Sequence, residues 1–323
     1  MKITQAHLYF AKRLGYIAVT LFVISVIVFM ATVLLPGSAA RLILGRQATP
    51  EKVAQLEKEM GLNEPPHVQY IDWLMNLLSG DAGTSLVFNE PVVSIVLPRA
   101  HVSLQLALVT LVVVSLLGIP LAVVSAVHKD SVLDRTISSL TYVGISLPEF
   151  VTGTLLVLLF AGPIFDVLPG SEYVSIYEGI VPWLRHMILP VTTLTIVLIA
   201  YVLRQTRSEL IEVLNAEYVR TARLKGLSNR KVLFKHALRN GLLPTITIMA
   251  LNFGWLMGGL VVVEEVYNIP GLGRLVVTSI QNRDIPVLQF AVLVIATAYT
   301  FSNTVADLLY SYLDPRITYG GDE

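Results

Sequence analysis

Val102-Ser103-Leu104-Gln105-Leu106-Ala107-Leu108-Val109-Thr110-Leu111-Val112-Val113-Val114-Ser115-Leu116-Leu117-Gly118-Ile119-Pro120-Leu121-Ala122-Val123-Val124-Ser125-Ala126-Val127 runs for 26 residues without a Lys, Arg, Asp or Glu. As an α-helix rising about 1.5 Å per residue it would be about 39 Å long, more than the roughly 30 Å hydrocarbon core of a bilayer. Four further uncharged stretches follow the same rule: Leu14–Leu35 (22 residues), His186–Leu203 (18), Asn240–Val263 (24) and Ile285–Ala306 (22). Thr136–Phe165 adds 30 residues interrupted only by Glu149. The reading is an all-α polytopic membrane protein with six transmembrane helices, at 14–35, 100–127, 136–162, 186–203, 240–263 and 287–310.

The whole chain agrees with that reading. Of 323 residues, 54% are hydrophobic and only 14% are charged, with a mean hydropathy of +0.69. A soluble domain carries about 25% charged residues, so this chain has too few to cover a surface of its size in water. Its 23 basic residues balance 23 acidic ones, which gives no field that would draw in nucleic acid. The absence of cysteine excludes disulfides, Cys-ligated zinc, iron–sulfur clusters and thiol nucleophiles.

Six spans put both termini on one side, and loop charge decides which. With the termini inside (1–13 and 311–323), the inner segments hold 15 Lys and Arg and the outer segments 8, so both termini are expected to be cytoplasmic. Lys12-Arg13 ahead of an apolar run could suggest a secretory signal. The run is 22 residues, longer than the roughly 7–15 of a signal's apolar region, so a retained first helix is expected.

The outer segment 36–99 has helices of its own. Thr49-Pro50 reads as an N-cap followed by proline at the first helical position, with Val53, Leu56 and Met60 on one face and Gly61 as the stop. After Pro65-Pro66 a second amphipathic stretch carries Tyr70, Trp73, Leu74 and Leu77 to Gly80. Tyr70 and Trp73 suit a membrane–water interface. The segment serves either as a helical cap over the spans or as a docking surface for an external partner. The outer segment 264–286 reads as a re-entrant or turn region around Pro270-Gly271-Leu272-Gly273, which lacks the preceding strand and further glycine of a dinucleotide site.

The inner loop 204–239 sets nine basic residues against three acids, Glu209, Glu212 and Glu217. It reads as two helices: one from about Ser208 to Lys225 with Leu210, Leu214 and Ala222 among its apolar positions, and one capped by Ser228. Gly226 ends the first helix, and Lys231, Lys235 and Arg239 form a stripe on the second. Leu227 at the turn is an apolar tip able to enter a partner's groove. Any polytopic protein carries inner basic residues, so charge alone does not make this loop a docking site.

The ordered run does more. Glu217-Tyr218-Val219-Arg220-Thr221-Ala222-Arg223-Leu224-Lys225-Gly226-Leu227-Ser228, followed by His236-Ala237-Leu238-Arg239-Asn240 and Leu242-Leu243-Pro244, resembles the EAA loop of ABC importer permeases. The wording is similar to the dipeptide, oligopeptide and nickel branch, B-type membrane subunits in particular. Gly80-Asp81-Ala82-Gly83, Ser146-Leu147-Pro148, Pro270-Gly271-Leu272-Gly273-Arg274 and Asp314-Pro315-Arg316 extend the likeness over nearly the whole chain.

The resemblance implies a type I ABC importer permease fold and one membrane subunit of an ATP-driven importer of peptides or a related small solute. It implies a second, homologous permease subunit, two ATPase subunits that bind ATP and Mg, and an extracytoplasmic solute-binding protein. This chain would sit in the inner membrane with no cofactor of its own. Glu217, Arg220, Thr221, Ala222, Gly226, Leu227 and Ser228 are the implied ATPase-coupling residues. Glu149 departs from the small or polar residue usual after that proline. A carboxylate in a span is costly, so it either lines the substrate path or sits in a wet kink or against another subunit.

Other chemistry finds little support. No glycine precedes a lysine, so a Walker A loop is absent. The six histidines (His7, His67, His101, His128, His186, His236) include no i, i+4 pair and no His-Glu-x-x-His, and there is no Gly-x-Ser-x-Gly elbow. A self-contained carrier or channel is the alternative. It would rest on Glu149 and Asp307 as intramembrane acids, without the internal repeat such proteins tend to show.

Overall fold

The computed structural model describes residues 2–33, 44, 48–59, 61 and 63–313. Leu35, Arg41, Arg46, Met60 and the Asp314-Pro315-Arg316 triplet lie outside the described residues, as does the side chain of Leu56. Among the described residues all regular structure is helical apart from one antiparallel bridge, Thr84 to Pro91. Four helices are long and apolar enough to cross a bilayer, and two bent pairs bring the number of spans to as many as six.

The first span is α1, Lys2–Val33. Two short helices follow, α2 (Pro50–Glu59) and α3 (Pro66–Leu78). Thr49 and Pro50 start α2 as the sequence suggests, with the Lys52 N–H 3.4 Å from Thr49 Oγ1, and Gly61 turns the chain at φ +67°. Tyr70 and Trp73, both half-buried, pack on α1. Phe29 lies 5.4 Å from the Tyr70 ring and 5.5 Å from Trp73, and the Tyr70 hydroxyl is 2.8 Å from Ser25 Oγ. These ring contacts and the hydroxyl pair hold α3 as a strap along the first span.

The second span is α4, Val92–Val127, and the fourth is α7, Ile180–Asn215, each 36 residues. Both exceed the expected ranges, 100–127 and 186–203, because the hydrogen-bond ladder of a helix does not stop where its apolar side chains do. Their contact forms the middle of the molecule: Leu106 and Val114 of α4 pack with Leu194, Leu198 and Val202 of α7 and with Leu256 further along the chain. Large apolar side chains on the outward face of α4, Leu108, Val112 and Leu116, stay exposed at a four-residue spacing, as a lipid-facing or subunit-facing stripe requires.

The third and fifth spans are broken. The expected single helix over 136–162 is two, α5 (Val132–Ser146) and α6 (Glu149–Phe160), bent by 100°. Leu147 is extended (φ −92°, ψ 132°) ahead of Pro148, the conformation that proline imposes on its predecessor. The expected 240–263 helix is also divided. Segment α9 (Asn229–Gly241), with a π turn at Val232–Ala237, meets α10 (Leu243–Gly259) at 46°, and a short α11 (Val261–Val266) follows. The 264–286 segment, expected as a turn, contains an 11-residue helix, α12 (Leu272–Asn282). The chain then enters the last span, α13 (Ile285–Leu313). Asp307 of α13 pairs with Arg13 of α1 at 2.5 Å, tying the last span to the first.

Candidate functional site

The inner loop departs from two regular helices in an instructive way. The proposed Ser208–Lys225 helix is interrupted: α7 continues to Asn215, Ala216 is extended (φ −66°, ψ 148°), and a separate helix α8 spans Glu217–Leu224. Leu210 therefore belongs to the end of a span, where it is fully buried and meets Gly241. A Cβ at Gly241 would come within 2.6 Å of Leu210 Cδ2, so glycine lets α9 approach α7 without displacing the Leu210 side chain.

Gly226 closes α8 at φ +76° with no neighbouring atom within 4 Å of a notional Cβ, so backbone conformation alone demands glycine there. The Gly226 N–H donates to Arg223 O at 2.9 Å and the Leu227 N–H to Ala222 O at 3.4 Å. These are the two bonds of a Schellman motif, in which the residue after the glycine folds back onto the helix it follows. Leu227 duly packs with Val219 and Ala222 of α8, Val232 of α9 and Val213 of α7. The apolar-tip reading of Leu227 is corrected by this geometry. The spacing already carried the signal, since Ala222 and Leu227 occupy the two positions that such a motif brings together.

Ser228 then caps α9, accepting the Lys231 N–H at 3.4 Å. Asn240 Nδ2 donates to the Tyr218 hydroxyl at 3.0 Å, fastening the far end of α9 to the start of α8. Lys231, Lys235 and Arg239 are all exposed, but the π turn between them breaks the four-residue register of a single stripe. With Val219 and Ala222 facing inward, a rotation of about 100° per residue puts Glu217, Arg220, Thr221 and Leu224 on the opposite face. Leu224 is 80% exposed, and Phe234 on α9 is 62% exposed. Neither was among the candidate residues; a solvent-facing Leu one turn before the capping glycine is visible only once the inward face is known.

Glu149 lies at the first turn of α6, half-buried, immediately after the 100° bend. Pro148 is the residue that immediately precedes α6, so Glu149 follows the bend directly. It does not bring Glu149 to the 217–228 loop residues, which belong to a different end of the chain's helices.

A second carboxylate escaped the sequence reading. Glu264 of α11 is fully buried, accepts the Ser103 hydroxyl at 2.5 Å and the Arg274 N–H at 2.9 Å, and sits at the start of α12. Ser103 in turn accepts the Leu272 N–H at 2.7 Å. Burial pushes the Glu264 carboxyl above the ordinary carboxylate range, against the pull of Ser103 and the Arg274 and Gly273 backbone. This explains Pro270-Gly271-Leu272-Gly273-Arg274. A Cβ on Gly271 would fall 2.0 Å from Glu264 Oε1, and one on Gly273 would strike the Val261 backbone. The two glycines let a helix start be capped by a buried carboxylate, at the end of α4 away from the loop.

Two bent helix pairs, exposed apolar helix faces and a compact helix–turn–helix module between long apolar helices mark a polytopic membrane protein. Residues 118–319 match the family described as binding-protein-dependent transport system inner membrane component, and residues 7–107 match its N-terminal companion. The chain belongs to this family and is a multi-pass inner-membrane subunit of an ABC transporter complex that also contains an ATPase and a binding protein.

Among its relatives is a probable peptide ABC transporter permease of Sinorhizobium fredii, 37% identical over 96% of this chain and 99% of its own length. A putative peptide transport system permease of Brucella abortus is 38% identical over 95% and 98%. The glutathione transport system permease of Salmonella choleraesuis is 39% identical over 96% and 99%. A crystal structure of an amino acid ABC transporter with histidines overlays at a TM-score of 0.45, with 17% identity over 68% of this chain and 92% of that one.

Proposed function

We propose that this chain forms half of the translocation path of an importer for peptides, and that its α8–α9 module receives the force of ATP hydrolysis from a separate ATPase. The observation that carries the coupling role is the rigidity of the module. It has its own apolar cluster, a Schellman turn at Gly226, a Ser228 cap and the Tyr218–Asn240 bond. A push on such a body displaces the spans, whereas a floppy loop would absorb it. The exposed face Glu217, Arg220, Thr221 and Leu224 would meet the ATPase, while Ala222, Leu227 and Ser228 keep the turn in shape.

Peptides are the substrate class that the names of the peptide and glutathione relatives support. Two ATPase subunits bearing ATP and Mg, a second homologous permease and an extracytoplasmic binding protein complete the assembly. Both termini face the cytoplasm, a reading supported by the 15 inner against 8 outer basic residues. Glu149, at the bend of the third span, would face the path and attract a peptide's cationic amine.

The test is extraction of the tagged chain in mild detergent and identification of its companions, followed by uptake of labelled di- and tripeptides, glutathione among them, into vesicles containing the recovered complex. Co-recovery of an ATPase and ATP-dependent uptake of a peptide is the expected result. Solute movement by this chain alone would replace the proposal with a self-contained carrier.

A further inference from the structure

One buried ion pair lies beyond the loop module and joins three helices. Asp134, in the first turn of α5, accepts Arg207 Nε and Arg207 Nη2, each at 2.7 Å, from α7. The same carboxylate accepts the Ser125 hydroxyl from the end of α4 and the Asp130 N–H at 2.9 Å, and Arg207 Nε lies 3.1 Å from Ser125 Oγ. Its side chain is 4% exposed and that of Arg207 26%. Such a two-pronged, additionally hydrogen-bonded pair is geometrically stiff: a guanidinium fork fixes angle as well as distance.

The position of the pair along α7 gives it a task. Arg207 sits between Thr206, whose hydroxyl is 2.8 Å from that of Thr245 on α10, and Leu210, which meets Gly241 of α9. At this level α7 is therefore held by the loop module on one side and by α5 on the other. Beyond α5 comes the Ser146-Leu147-Pro148 bend and Glu149.

We propose that Asp134 and Arg207 are positioning residues for transport. Their pair is the junction through which displacement of the α8–α9 module reaches the bent third span, so that the bend at Pro148 moves with the ATPase cycle. This rests on the importer reading above. Without the pair, α7 still follows the module, but α5 is no longer obliged to follow α7. Hydrolysis then proceeds and transport does not.

The experiment uses the whole transporter in liposomes, with ATP hydrolysis and peptide uptake measured on the same vesicles for wild type, Asp134→Asn and Arg207→Lys. Arg207→Lys keeps the charge and loses the fork, and it decides the matter if Asp134→Asn fails to assemble. The uptake-to-hydrolysis ratio is expected to fall at least tenfold in either variant, with hydrolysis within about threefold of wild type. Because the chain has no cysteine, Ser146→Cys reports the bend by thiol labelling. Its labelling rate is expected to change between ATP-bound and nucleotide-free complexes, and the added Asp134→Asn or Arg207→Lys should erase that change. Uptake and hydrolysis that fall together, or a labelling change that survives the variants, would overturn the junction and leave a merely structural ion pair. A wild-type complex that takes up no peptide with ATP would instead count against the importer reading, so the two failures are distinguishable.

Discussion

Replacing Gly226 with proline attacks the coupling module at one point. Proline fixes φ near about −65°, whereas Gly226 sits at +76°, and proline also removes the N–H that donates to Arg223 O. The Schellman turn cannot then form, so the Leu227 N–H to Ala222 O bond is lost with it. Two backbone bonds at about 1 kcal/mol each contribute roughly 2 kcal/mol. Partial exposure of Leu227, which now packs against Val219 and Val232, adds about 1 kcal/mol, less than the 1.5–3 kcal/mol or so for full burial of a leucine. A loss of about 3 kcal/mol shifts the local equilibrium of the module roughly 100-fold toward disorder. The spans do not depend on this turn, so insertion should be unchanged. The assay pairs hydrogen exchange across 217–232 and membrane yield with peptide uptake. Protection in that segment should vanish and uptake fall below about a tenth of wild type, while the amount in the membrane stays within twofold. Uptake within twofold of wild type, with the turn demonstrably unfolded, would refute transmission through a rigid module.

Further consequences separate surface from scaffold. Leu224→Asp should leave the isolated chain as stable as wild type and abolish recovery of the ATPase, because Leu224 lies on the exposed face; Leu227→Ala should do the reverse, lowering loop protection first. Gly271→Ala should lower the melting temperature of the purified chain by several degrees, since its Cβ would overlap the Glu264 carboxyl. The raised Glu264 pKa has a definite sign. The folded state favours the protonated acid, so its contribution to stability is full below the unfolded value of about 4.3 and is lost as pH rises through the folded pKa. Glu264→Gln, neutral throughout, should therefore gain on wild type in melting temperature between about pH 4.5 and pH 8, and a gap that shrinks over that range would contradict the assignment. Glu149→Gln should raise the KM for peptides with a free amino terminus at least several-fold and leave an N-acetylated peptide unaffected.

Each apolar run falls on a helix or a bent helix pair, because a bilayer demands uncharged chain with its backbone hydrogen bonds satisfied internally. The runs misplaced helix ends, since α4 and α7 continue on backbone hydrogen bonds well past the uncharged stretches. They did not show the bend at Leu242, while the proline before Glu149 already offered a kink near Leu147. In the loop, the ordered motif marked Gly226 and Ser228 correctly as turn and cap. The direction of Leu227 and the exposure of Leu224 needed the inward face of α8, which eight residues of sequence leave ambiguous. Glu264, Asp134 and Arg207 were silent for a general reason: beside their local bonds, each has a partner more than 70 residues away, Ser103 for Glu264 and the Asp134–Arg207 pair for one another. Spacing along one chain does not encode such pairings.

The most direct test of coupling places the chain's one cysteine on the exposed face of α8 by Leu224→Cys, in native membranes, with a short maleimide–diazirine cross-linker whose carbene, formed on illumination with loss of dinitrogen, inserts into whatever bond lies beside it. Mass spectrometry of the product should identify an ATPase subunit, and the yield should change when ATP is added. A cysteine at that site which reacts freely with small reagents yet never captures an ATPase would contradict the account at its centre.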